Sequence, residues 1–174
     1  MRITISGPPG SGKTTVCTLL GERLDYEVVV SGNIFRQLAK ERNMSLADFG
    51  SLCSIDPKVD KELDSKMIEI AKSADDIILE GRLTAYMLSS NNIPAFKIYL
   101  YASEDVRAAR VVNREGGTEE QRKAEIIERE TCEALRYKNY YNIDIKDTSV
   151  YDLVIDSSMS TPEEIVEIII SKVS

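Results

Sequence analysis

"GPPGSGKTT", residues 7–15, follows the apolar run "RITIS" (2–6) and precedes "VCTLLGERL" (16–24), whose pattern is helical. Gly7, Gly12, Lys13 and Thr14 match the spacing G-x-x-x-x-G-K-[ST]. Glycines at such positions let the backbone curl so that successive N–H groups point at phosphate oxygens, and a helix starting near Lys13 adds its positive end. The lysine of this motif reaches β and γ phosphates, and the Thr14 hydroxyl can sit on Mg²⁺. The motif requires a strand before it and a helix after it, and the flanking patterns supply both. Gly7, Pro8, Pro9, Gly10, Ser11, Gly12, Lys13, Thr14 and Thr15 are therefore read as one triphosphate-binding loop.

Outward from the loop, short apolar runs alternate with longer helical patterns. Segments 2–6, 26–30, 76–80, 96–101 and 151–156 read as strands, and 13–24, 32–42, 57–73, 83–90, 104–114, 119–138 and 162–172 as helices. The near-continuous apolarity of the strands fits a parallel sheet covered on both faces. Strand and helix in alternation predict a doubly wound α/β sheet, whose ligands gather at the carboxyl ends of the strands. Residues 31–75 and 114–150 are longer than simple crossovers need, and are expected to cover a substrate.

The bulk numbers narrow the chemistry. A chain of 174 residues, 43% hydrophobic and 29% charged, suits one folded domain. A net charge of −7 disfavours nucleic acid and anionic membranes as partners, so an anionic ligand must be met by locally placed cations. No run is apolar enough to span a membrane, and the expected location is cytoplasmic. Cys17, Cys53 and Cys132 form no C-x-x-C pair and are read as reduced core or surface thiols. The absence of histidine excludes a Ser-His-Asp triad, a Cys-His pair and a histidine zinc site. No guanine-reading N-K-x-D is present, and the acidic pair Asp75-Asp76 opens its strand, leaving Glu80 as the acidic residue at the strand's far end.

Basic residues in three places suggest a second anion site. "SGNIFRQLAKE" (31–41) follows the second strand and puts Arg36 on the first turns of a helix, with Ser31 either an N-cap or a ligand contact. "EGRL" places Arg82 just past the third strand. Arginines from neighbouring βα turns can grip a phosphate opposite the triphosphate. Arg107, Arg110 and Arg114 share one helix face, and Arg122, Arg129 and Arg136 recur every seven residues with Glu133 one turn after Arg129. Glu125 and Glu133 flank Arg129 at i±4, so ordinary helix ion pairs also account for that face. "REGGTEE" between the two helices reads as the hinge of a short lid.

In this order, "GPPGSGKTT", "SGNIFR", "EGRL", "ARVVNRE" and the Arg129-x₆-Arg136 helix resemble the nucleoside monophosphate kinases, most nearly an archaeal-type cytidylate kinase with a short lid. The closing "YDLVIDSS…TPEEIVEIII" resembles that family's last strand and helix. The resemblance implies a P-loop NTPase fold: three α/β/α layers around a five-stranded parallel sheet in a single domain, with core 1–30, 76–113 and 139–174, acceptor-binding subregion 31–75, and lid and arginine helix 114–138. It implies ATP with Mg²⁺ held by Thr14 and Glu80, CMP or dCMP as acceptor, and a monomer. Arg110 and Arg114 would lie by ATP, and Ser31 by the cytosine ring. Arg36 and Arg82 would hold the CMP phosphate, Glu133 would lie near the ribose, and Lys13, Arg82, Arg129 and Arg136 would be catalytic. The chain has Glu80-Gly81-Arg82-Leu83 where bacterial cytidylate kinases have Asp-Gly-Arg-Asp, and Glu133 where they have Asp, which leaves base and sugar recognition open. AMP or a small non-nucleotide acceptor remain alternatives, as does a non-catalytic nucleotide switch.

Overall fold

The computed structural model describes residues 1–174. β1 (Arg2–Ser6) leads through the phosphate loop into α1 (Lys13–Leu24), and β2 (Glu27–Val30) runs directly into α2 (Ser31–Glu41). Next come α3 (Leu46–Ile55), α4 (Pro57–Ser73), β3 (Ile77–Glu80), α5 (Thr84–Ser90) and β4 (Phe96–Tyr101). The chain ends with α6 (Glu104–Glu115), α7 (Glu119–Tyr141), β5 (Leu153–Asp156) and α8 (Pro162–Val173).

The sheet has the order β2-β3-β1-β4-β5, and every neighbouring pair is parallel. Its strands read as continuous apolar runs because both faces are covered. Ile3, Ile5, Ile78, Ile98 and Leu100 point to one side and pack on Val16, Cys17 and Leu20 of α1 and on Ile165, Val166 and Ile169 of α8. Ile77 and Leu79 point to the other side, onto Met67 and Ala71 of α4 and Leu88 of α5. The register sets Val30 and Ile5 on either side of Glu80, so the residues that follow β1, β2 and β3 emerge together at one edge. The strand order reverses at β1, which makes this edge the natural ligand crevice.

The sequence reading left 43–56 unassigned, and the structure forms α3 there. Its apolar face is interrupted by Gly50 and Ser51, which hides the helical period. The local signal that marks it is Ser45, whose hydroxyl accepts the Asp48 N–H at 3.1 Å as an N-cap. α2, α3 and α4 then share a small core of their own, Leu38, Ala39, Phe49, Cys53 and Val59. α7 runs to Tyr141, past the expected end at 138, and so carries Tyr140 and Tyr141 up to α3 and α4. No helix is long and apolar enough to cross a membrane. All three cysteines are free, with Cys17 and Cys53 buried and Cys132 exposed.

Candidate active site

The phosphate loop is pressed onto the end of β4. A Cβ on Gly7 would lie 1.9 Å from the Leu100 carbonyl oxygen, so only glycine fits there. Gly12 caps α1 without any side-chain hydrogen bond, and the N–H groups of Gly12, Lys13, Thr14 and Thr15 find no acceptor in the protein. Unsatisfied amides at a helix start form an anion-binding site. Lys13 Nζ donates to the carbonyls of Gly7 at 2.7 Å and Pro8 at 3.0 Å. Burial pushes this ammonium down to about 8, while Glu80 pulls it back up and Arg82 and Arg129 add to the depression. A charge held at such cost is poised for an anionic ligand.

The loop forms one wall of a cleft of about 670 Å³. Arg36, Glu80, Arg82, Arg114 and Arg129 line the opposite walls with Ser31 and Gly32. The close approach is made at Gly81, where a Cβ would meet Thr84 Oγ1 at 2.4 Å and Ser31 Oγ at 3.1 Å. Ser6 Oγ donates to the Gly81 carbonyl at 2.7 Å, tying the ends of β1 and β3 together. Burial raises the Glu80 carboxyl, against the pull of Lys13, Arg82 and Arg129. No group of three or more acidic, thiol or imidazole side chains is placed to hold a metal ion. The exposed Thr14 hydroxyl and the Glu80 carboxylate in the same cleft instead suit a largely hydrated Mg²⁺ carried in on phosphates.

A second cavity of about 330 Å³ opens beside the cleft and shares Ser31, Gly32, Arg82 and Arg129 with it. At the junction Glu133, 9% exposed, bridges two arginines: Arg82 Nε donates to one carboxylate oxygen at 2.8 Å and Arg129 Nε to the other at 3.2 Å. Burial works to raise the Glu133 pKa, but Arg82 and Arg129 outweigh it and hold the carboxyl below its usual range. The carboxylate occupies, between two guanidinium groups, the kind of position a phosphate would take. Deeper in the cavity Arg136 Nε lies 2.7 Å from Asp60 Oδ2, and the Tyr141 hydroxyl donates to Asp64 Oδ2. The Asp64 carboxyl is pushed up to about 6 by burial, against the Tyr141 hydrogen bond.

Most of the residues singled out from the sequence meet in these two spaces, and five positions differ from expectation. Arg110 is a strut behind the loop, not a group in the cleft: it donates to the Gly10 carbonyl at 3.2 Å, to Ser157 Oγ at 3.1 Å and to the Ser157 carbonyl at 2.6 Å. Arg136 lies in the second cavity and not in the cleft walled by the loop, because seven residues on a helix keep the face but move roughly 10 Å along the axis. Ser31 is the first residue of α2 and not its cap, which is Val30. Gly7 and Pro8 lie outside the cleft wall that the rest of the loop forms. Of the arginine faces, Arg107 is buried against Glu130 and the Ala102 carbonyl, and Arg122 fastens the turn between α6 and α7 through the Gly116 carbonyl at 2.9 Å. The sequence reading missed Asp60, Asp64 and Tyr141. Asp60 and Asp64 stand at i and i+4 on α4, but so do ordinary surface charges, and nothing local shows which face of α4 is roofed by α7.

Residues 2–159 match the model of the cytidylate kinase-like family. Cytidylate kinase of Methanocorpusculum labreanum is 49% identical over 174 residues, covering 100% of this chain and 97% of that one. Cytidylate kinase of Methanococcoides burtonii is 51% identical over 158 residues, covering 91% and 88%. Among solved structures, an uncharacterized protein from Eubacterium ventriosum superposes with a TM-score of 0.74 at 18% identity, over 99% of this chain and 98% of that one. Shikimate kinase from Bacteroides thetaiotaomicron gives 0.67 at 12% identity, over 99% and 97%. At these identities the structural likeness concerns the fold.

Proposed function

The chain belongs to the cytidylate kinase-like family, and from that premise we propose that it transfers the γ-phosphoryl group of ATP to CMP, giving CDP and ADP. The observation that carries the reading is the pair of adjoining cavities joined at Arg82 and Arg129, one walled by a phosphate loop and the other large enough for a second small molecule. A nucleotide switch has no use for the second cavity.

In this reading the amides of Gly12 to Thr15 and the Lys13 ammonium take the β and γ phosphates, with Lys13 exchanging its loop carbonyls for phosphate oxygens. Arg36 and Arg82 hold the acceptor phosphate, already ionised and nucleophilic, so that no general base is required. Arg129 stands between the two spaces and neutralises charge on the group in flight, once Glu133 yields one of its two arginine partners. Thr14 and Glu80 would hold a largely hydrated Mg²⁺ beside the triphosphate, where it would supply positive charge. Arg114 and the 114–138 lid close over ATP, and residues 31–75 over the acceptor, excluding water that would hydrolyse the donor. Arg136, paired with Asp60, belongs with the acceptor's nucleoside.

The test is a coupled assay of ADP release with ATP and, separately, CMP, dCMP, UMP and AMP. Turnover with CMP and dCMP well above the no-acceptor rate is expected. ATP hydrolysis independent of any acceptor would overturn the kinase reading, and preference for AMP would overturn the acceptor assignment.

A further inference from the structure

Three carboxylates line the part of the acceptor cavity that the phosphate cleft does not share: Glu133, already bridged to two arginines, and Asp60 and Asp64, which stand beside the apolar Phe35, Leu63, Met67 and Tyr137. Phosphoryl transfer has no use for the two aspartates, since their charge is opposite to that needed beside a phosphate. Nor does packing reward them: the Asp60 side chain is 9% exposed, and a buried ion pair recovers its desolvation cost only when its geometry is good and its remaining hydrogen-bonding capacity is filled. Here it is not filled. Asp60 Oδ2 and Arg136 Nε touch but lie out of line, and both are buried polar atoms without a hydrogen-bond partner. Asp64 accepts one hydrogen bond, from Tyr141. The two carboxylates follow each other at i and i+4 on α4, so they stand side by side on one face of that helix.

An acceptor-only pair of this kind complements a group that donates twice. The exocyclic amine of cytosine is such a group, with two N–H donors beside the ring N3 acceptor, whereas uracil presents an oxygen at the same place. The residue after Arg82, which also lines the cavity, is the buried and apolar Leu83 and offers no acceptor. The only other acid in the cavity, Glu133, is engaged by two arginines.

We propose that Asp60 and Asp64 read the exocyclic amino group of the acceptor base, with Arg136 and Tyr141 as positioning residues that hold the two carboxylates, and that this pair makes the site reject uracil. The inference rests on the CMP kinase reading and adds to it the residues that choose the base. A uracil placed here sets its O4 lone pairs against two carboxylates and leaves both unpaired. Sites built to hydrogen-bond a substrate N–H reject an analogue lacking it by roughly 10⁴-fold, far more than shape alone achieves.

The experiment measures kcat/KM for CMP and UMP at saturating ATP on the full-length wild type, on Asp64→Asn and on the Asp60→Asn/Asp64→Asn double variant, each with a melting curve. An amide both donates and accepts, so it serves either base. The CMP-to-UMP ratio is expected to fall by about 100-fold or more, through a raised KM for CMP and a gain in kcat/KM for UMP. A parallel loss on both substrates, leaving the ratio within about three-fold of wild type, would overturn the proposal, because structural damage does not discriminate between bases. Should the double variant melt below assay temperature, the single variant and calorimetric binding of CMP and UMP in the cold give the same ratio. Wild type that turns over CMP while the ratio stays fixed defeats this inference alone; wild type inactive on CMP defeats the function from which it starts.

Discussion

The phosphate cleft and the acceptor cavity share a wall but are built on different terms. Five basic and two acidic side chains line the cleft, and its floor is a contiguous run of backbone. Three basic and three acidic side chains line the cavity, drawn from β3's end and from α4 and α7, with α2 and α3 adding apolar walls. In the function proposed here the cleft recognises a charge common to every nucleoside triphosphate, which amides and one lysine can meet wherever they occur. In that function the cavity tells one acceptor from another, and for that it needs opposed groups fixed by the packing of separate helices.

The sharpest way to break this contrast is at Lys13. Lys13→Met is expected to lower kcat by about 10³-fold, since it removes the charged donor nearest the transferred group. The same change is expected to raise the melting temperature of the ligand-free protein below pH 8. The sign follows from the depressed folded-state pKa of about 8 against 10.5: the unfolded chain keeps this proton more readily, so the charged lysine costs stability below about pH 8, and stability recovers as pH rises from there toward 10.5. A variant that melted lower at neutral pH, or kept most of its turnover, would show that the lysine is structural.

The shared wall comes next. Arg129→Lys keeps its charge and its exposed i,i+4 pairing with Glu133, but loses the planar fork that spans two oxygens. The Arg129 side chain is 66% exposed, so its ion pair contributes little to stability. A fall in kcat of about 10²-fold with an unchanged melting curve is expected from steady-state kinetics. Near-normal turnover would reduce the junction to a surface ion pair.

The smallest effect tests the cavity's construction. The Tyr140 hydroxyl donates toward the carbonyls of Ser54 at 3.2 Å and Cys53 at 3.4 Å, pinning α7 to the end of α3. Tyr140→Phe should cost about 1 kcal/mol in denaturant unfolding. Its kcat should be unchanged, with KM for CMP moved by no more than about three-fold; a large loss of kcat would mean that this contact belongs to closure and not only to the wall.

How much of this was legible in advance follows the same division. The strands at 2–6 and 96–101 lie where the apolar pattern puts them, because both-face burial leaves an unbroken signature, and the helix at 57–73 lies where its amphipathic period puts it. Arg36, Arg82 and Arg129 are singled out by their places after strands and on a helix face, and the structure brings all three to one cleft. Arg110 and Arg136 follow the same spacing rules and end elsewhere, one as a strut on Ser157 and the other against Asp60. Periodicity gives a residue's angle about the helix axis but not what stands opposite it at that height.

The sequence by itself determined the phosphate loop, the parallel sheet on which it sits and the family to which the chain belongs, since each is carried by residues close together or by a repeating pattern. Only the tertiary structure decided that Glu133 bridges Arg82 and Arg129, residues 51 and 4 positions away along the chain, and that Asp60 and Asp64 line the cavity beside them. A carboxylate's role depends on which charges and donors lie within a few ångströms in a poorly solvated space, and here those neighbours come from α7, a helix that begins long after α4 has ended.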